Sequence, residues 1–163
     1  MTTTSLEPLT QPTERTSRRR MLWQIVAVAA GLTVLFIAAL IIQMNPVPPD
    51  LDTSTTLMSA QGLFEVSYTS DLGNVPINQI QSWTLHVETA DGRTVENATI
   101  TVDGDMPQHG HGLPTQPQIT QYLGSGDYKV EGLKFHMPGW WVMDFTVTVD
   151  GQTDQVRFNM ILQ

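Results

Sequence analysis

The chain has 163 residues, a net charge of −8 and no cysteine. The missing cysteine excludes a disulfide framework, a thiolate zinc site, covalent haem attachment and a blue-copper centre. It leaves methionine and histidine as the soft metal ligands. The acid excess is uneven: after residue 43, Arg93, Lys129, Lys134 and Arg157 stand against fourteen carboxylates. That balance excludes a nucleic-acid partner, whose binding rests on Lys and Arg at phosphates.

Residues 1–20, rich in Thr, Ser and Pro, read as a disordered cytoplasmic head. Residues 21–42, "MLWQIVAVAAGLTVLFIAALII", carry no charge. At 1.5 Å per residue they make roughly 33 Å of helix, enough to cross the ~30 Å hydrocarbon core. A buried core helix is rarely apolar on every side, so this segment reads as a transmembrane helix. The "RTSRRR" run before it and the uncharged-to-acidic "QMNPVPPDLD" after it place the N-terminus in the cytoplasm. The expected location is the plasma (inner) membrane, crossed once, with the C-terminal domain extracytoplasmic. A cleaved signal peptide is the rival reading, and "SRRRML" resembles a twin-arginine signal. The apolar run is long for either, and no A-x-A site follows it. The proline-bearing residues 43–59 read as an extended linker.

Residues 60–163 show strand periodicity and no convincing helical stretch. "SWTLHVET" alternates Trp83, Leu85 and Val87 against Thr84, His86 and Glu88, and Asp91-Gly92 signals a hairpin. "ATITVDGD" puts Ala98, Ile100 and Val102 on one face. A loop with three prolines and three glycines follows, from Gly104 to about Gln118. "GDYKVEGLKF" pairs Tyr128 with Val130, then shifts phase at Gly132, as a bulge would. "WWVMDFTVTV" and "QVRFNMIL" repeat with period two. Six or seven antiparallel strands in about a hundred residues predict an all-β fold, an immunoglobulin-like antiparallel β-sandwich, with a small up-and-down barrel as the alternative.

The chemistry concentrates in "MPQHGHGLP" and "FHMP". In an extended segment residues two apart share a side, so His109 and His111 can converge on one ion. Met106 lies three residues upstream, and His136 and Met137 precede the Pro138-Gly139 turn. Imidazole with thioether selects copper, Cu(I) in particular, over Mg²⁺ or Ca²⁺. Zinc would need a carboxylate such as Asp105, and no catalytic zinc spacing is present. The bland alternatives are turn chemistry for the histidines, a core role for Met137 in phase with Leu133 and Phe135, and a loop plug for Met106. His136 and Met137 face opposite ways if the strand stays regular to its end. His86 reads as a polar-face residue. No nucleophile elbow or phosphate-binding loop is present, so an enzyme is not expected.

Met106, Pro107, His109, Gly110, His111, Gly112, Gly126, Tyr128, Gly132, Phe135, Met137, Pro138, Gly139 and Trp141 together form a pattern that resembles the YtkA-like domain, a family grouped with FixH-like proteins. The resemblance spans roughly residues 63–160. It implies a membrane-anchored or exported β-sandwich, found with copper-handling proteins or oxidase assembly factors, and carries no nitrogen-fixation role. The expected function is therefore a membrane-anchored extracytoplasmic copper-binding module. His109, His111, Met137, Met106 and His136 are its candidate metal residues, and a respiratory oxidase or a copper chaperone is its candidate partner. The rival is a metal-free interaction domain that docks a membrane protein through the 104–118 loop.

Overall fold

The computed structural model describes the backbone of residues 13–43 and 46–163 and the side chains of residues 19–38 and 46–163. Two compact units result, 1–44 and 45–163. The first is a single helix, α1 (Thr13–Gln43). Its Arg19–Ala38 stretch has a mean hydropathy of 2.2 and is long and apolar enough to cross a membrane. Exposed Leu22, Trp23, Val26, Leu32 and Phe36 leave it no one-sided apolar stripe to bury against protein. The helix starts earlier than the expected span, running back to Thr13 through Arg15 and the arginine triplet. Arginine is a good helix former, and extending a helix already nucleated costs little. Residues 1–12 of the expected head lie outside the described residues.

The second unit holds β1 (Thr56–Met58), β2 (Phe64–Ser70), β3 (Gln81–Thr89), β4 (Thr99–Met106), β5 (His111–Gly112), β6 (Gln118–Gly124), β7 (Asp127–Leu133), β8 (Gly139–Val149) and β9 (Gln152–Leu162). The extra strands over the expected six or seven are short. β1 forms from the end of the predicted linker, and β5 from inside the predicted loop. One sheet has the order β1-β2-β3-β7-β6 and the other β5-β4-β8-β9, with every strand pair antiparallel. β2, β3, β7 and β6 thus take the places of strands A, B, E and D of an immunoglobulin fold, and β4, β8 and β9 those of C, F and G. Two separate sheets rule out the up-and-down barrel.

The predicted alternation decides the packing. Trp83, Leu85 and Val87 from one sheet face Trp141, Met143, Phe145 and Val147 from the other, and all are buried. Tyr68 stacks on Trp83 at 4.5 Å and meets Phe158 of the opposite sheet edge-on at 4.9 Å. Ring pairs of this geometry add roughly 0.5–1.5 kcal/mol beyond burial. The phase shift at Gly132 is a bulge: Gln81 pairs with Leu133 but Trp83 with Val130.

Asp91-Gly92 does make a turn, closed by Gly92 N donating to the Thr89 carbonyl at 2.9 Å. The arms pair only at Glu88 and Thr94 before the chain leaves for the other sheet. Tyr128 fixes that crossing. Its hydroxyl donates to the Val95 carbonyl at 2.8 Å and accepts from Ala98 N at 3.0 Å.

This topology gathers the connections at the two ends of the sandwich. The β2–β3 connection (71–80), the β4–β5 turn (107–110), the β7–β8 connection (134–138) and the end of β9 all lie at one end.

Candidate functional site

At that end β4 runs three residues into the expected loop, to Met106, and returns as β5. Asp105 pairs with Gly112, and Met106 with His111. The four-residue turn between is closed by His109 N and Gly110 N, which both donate to the Met106 carbonyl, at 2.9 and 2.8 Å. Gly110 has φ 64, which the turn needs and a side chain would resist. Gly104 and Gly112 serve close approach instead. A Cβ on Gly112 would stand 2.9 Å from the Gly104 carbonyl, and one on Gly104 would stand 2.7 Å from the Met143 sulfur.

The β7–β8 connection is held from below. Asn78 N donates to the Phe135 carbonyl at 2.7 Å, and the Phe135 ring is fully buried. Trp141 Nε1 donates to the Met137 carbonyl at 3.0 Å. With Phe135 driven inward, His136 comes up beside β5, while Met137 packs against the core. The alternation expected for "KFHMP" therefore persists up to the Pro-Gly corner.

Three imidazoles meet as a result. The His109 and His111 rings lie 5.7 Å apart, and those of His111 and His136 lie 4.8 Å apart. Trp141, fully buried, floors the group edge-on at 6.2 Å from His111 and 5.5 Å from His136. His136 Nδ1 is buried with no hydrogen-bond partner among the described residues. His111 Nδ1 lies 3.4 Å from the Gly112 carbonyl.

The thioethers sit lower. Met106 is fully buried, and its methyl end comes within 3.0 Å of where a Gly139 Cβ would stand, so it fills the core beneath the histidines. Asp105 is exposed on the edge of β4. Among the described residues, no group of three or more His, Cys, Asp or Glu is arranged to hold a metal ion. His86 is far from this group, toward the other end of β3. It is clamped by Asp127 at 2.6 Å and Glu88 at 3.2 Å. Sequence reasoning did not single out Trp141 as part of the site. The "MPGWW" run was the available signal for Trp141, since period two carries it from Met143 and Phe145 to the base of the cluster.

A sequence model of the YtkA-like family matches residues 63–146, from the start of β2 into β8, so that the whole histidine cluster falls inside the match. The chain belongs to the YtkA-like family. Comparison with curated proteins and with solved structures gives no match. The YtkA-like domain of this chain is thus a two-sheet sandwich with His109, His111 and His136 at one tip.

Proposed function

We propose that this YtkA-like domain is a copper-binding module, held at a membrane by α1 with the domain outside the cytoplasm, and that it passes the ion to a copper-accepting respiratory oxidase or a copper chaperone. The observation that supports it most is the orphaned His136 Nδ1, buried 4.8 Å from its neighbour's ring. Burying an unpartnered nitrogen costs about 1–3 kcal/mol, and a cation between the rings would recover it. His111 and His136 would be the principal donors. His109, exposed on the turn, would complete the set as a mobile ligand, with thioether sulfur from Met137 or Met106 reached by side-chain rearrangement. Nitrogen with sulfur favours copper, and Cu(I) above the hard cations. An incomplete, shallow donor set suits cargo that must leave again.

The test is titration of the full chain, purified in detergent without an affinity His-tag, with Cu(I) and separately with Cu(II). Wild type should bind one ion, and His111→Ala/His136→Ala should bind it at least about tenfold more weakly. Equal affinity in the two proteins would sink the copper reading.

A metal-free docking domain is the second reading, and the want of a preformed three-residue metal group among the described residues favours it. There the 107–110 turn and its histidines supply contacts to a membrane-protein partner. Capture of one partner by wild type and by the double variant alike, with no metal in either, would establish it.

A further inference from the structure

The helix α1 carries two kinds of surface in series. From Met21 to Ile42 it has no charge, but its first turns hold Arg15, Arg18, Arg19 and Arg20 against Glu14 alone. The helix runs unbroken through both parts. At 3.6 residues per turn, Arg15, Arg18 and Arg19 fall on one face, within about 100° of arc. Thr13 and Ser17 take the opposite face. The arginine face continues into Leu22 and Val26, with Trp23 at its border, and all three are exposed.

Depth follows from the rise per residue. With Met21 at the edge of the hydrocarbon, Arg18, Arg19 and Arg20 stand within about 5 Å of it, and Arg15 about 9 Å above it. The headgroup layer is about 6 Å thick. Three arginines thus lie in that layer, and Arg15 stands within a Debye length of it, about 8 Å. A guanidinium meets phosphate with two parallel hydrogen bonds and keeps its charge. A choline headgroup offers its phosphate beside a cation, which repels the arginines. A headgroup without that cation offers the phosphate alone. The other flank of the helix has no such preference, because residues 43–52 hold no Lys or Arg and include Asp50 and Asp52.

We infer that the face formed by Arg15, Arg18 and Arg19 binds the headgroup of an anionic phospholipid, taken from the leaflet around the first turns of α1. Each arginine near such a surface favours the anionic lipid about fivefold, and Glu14 offsets one of the four. A soluble polyanion is a poorer match, since three of the arginines stand in the headgroup layer. A lipid held there fixes the depth of α1, and its rotation too, because three of the four arginines share one face. The inference rests on the membrane-anchor part of the function proposed above and involves no copper.

Trp23 lies one turn below Arg19 and reports on this face. The full chain is placed in phosphatidylcholine nanodiscs that contain, at equal mole fraction, brominated phosphatidylglycerol or brominated phosphatidylcholine. The signal is the part of the tryptophan emission that Trp23→Phe removes. Brominated phosphatidylglycerol should quench it at least about threefold more strongly than brominated phosphatidylcholine. Arg15→Gln/Arg18→Gln/Arg19→Gln, which keeps helix propensity, should bring that ratio toward one, as should 1 M salt. Moving two charges to the opposite face, Arg15→Thr with Thr13→Arg and Arg18→Ser with Ser17→Arg, should lower the ratio at unchanged net charge. Equal quenching by the two lipids, or a ratio that neither set of substitutions changes, would overturn the lipid preference and leave the anchor standing. Loss of the excess on adding soluble glycerol phosphate at matched ionic strength would reveal a site for free phosphate and overturn it as well. Failure of the chain to enter nanodiscs would overturn the anchor and the lipid site together.

Discussion

The imidazoles of His111 and His136 lie 4.8 Å apart although 25 residues separate them in the chain. One is fixed by the short strand β5 and the other by the corner that precedes β8. Their shared neighbour is the edge of the Trp141 ring. Cu(II) held between those imidazoles would quench Trp141 emission by proximity. Titration with Cu(II) should remove one saturable component of the tryptophan fluorescence. His111→Gln and His136→Gln should each abolish that component, and His86→Gln should leave it unchanged. Quenching that is identical in all four proteins would place the copper elsewhere.

Gly139 opens β8 directly under the cluster with φ 124, and a Cβ there would stand 3.0 Å from the Met106 methyl. Gly139→Ala therefore meets two costs, a backbone conformation that L-residues avoid and a crowded core. Together they should lower unfolding stability by about 1–3 kcal/mol in urea titration. Gly31→Ala, in the middle of α1 with open space around its Cβ, should leave the stability of the domain unchanged. Equal midpoints for Gly139→Ala and wild type would show that Met106 yields freely.

The parts of this fold that were legible in the sequence are those governed by short-range periodicity. Trp83, Leu85 and Val87 announce one buried face, and Trp141 to Val149 another. Sheet membership was not legible at Asp91-Gly92, because a turn of that type fits both a hairpin and a crossing. The crossing is decided by Tyr128, 36 residues downstream of Gly92. At the candidate site, the H-x-H pair and "FHMP" were visible as ligand types. That His136 rises toward His111 while Met137 stays in the core followed from strand phase. The meeting of the two segments did not, since it depends on the β4–β8 pairing that sets Asp105 against Val142. The depth of Met106 was also hidden, because a loop was expected where β4 continues.

A second site of consequence has no local signal at all. Asp154 on β9 is 2% exposed. It accepts hydrogen bonds from Ser59 Oγ at 2.6 Å, Gln61 N at 3.0 Å, Leu63 N at 3.3 Å and Gln155 N at 2.8 Å. It thereby ties the β1–β2 connection across to the other sheet. Burial works against its charge, but the donors from Ser59 and from the backbone of Gln155, Leu63 and Gln61 prevail and hold its carboxyl below the usual 3.8. A carboxylate with a depressed folded pKa contributes stability that is complete above 3.8 and is lost as pH falls through the folded value. Asp154→Ala should cost about 3 kcal/mol at neutral pH, since the buried Ser59 hydroxyl and three partly buried backbone N–H groups lose their acceptor. The gap to wild type should narrow in melts run at successively lower pH below 4. A gap that is constant with pH would deny the carboxylate its role.

His86 has the opposite sign. Its ring bridges β3 to β7, with Nδ1 at 2.6 Å from Asp127 and Nε2 at 3.2 Å from Glu88. Partial burial opposes the imidazolium, yet the hydrogen bonds and charges of Asp127 and Glu88 outweigh it and raise its pKa above 6.5. A raised folded pKa means stability fully present below 6.5 and lost as pH climbs through the folded value. All three side chains are about one-third exposed, so solvent screens the pair and the loss should stay within about 1 kcal/mol. The melting midpoint of wild type should therefore drift downward between pH 6 and pH 8. His86→Gln should melt lower than wild type at pH 6 and show a flatter profile over that window. Because the ion pair is screened, 1 M salt should flatten the wild-type profile as well. A slope that persists in His86→Gln would deny this ion pair its role in the pH dependence.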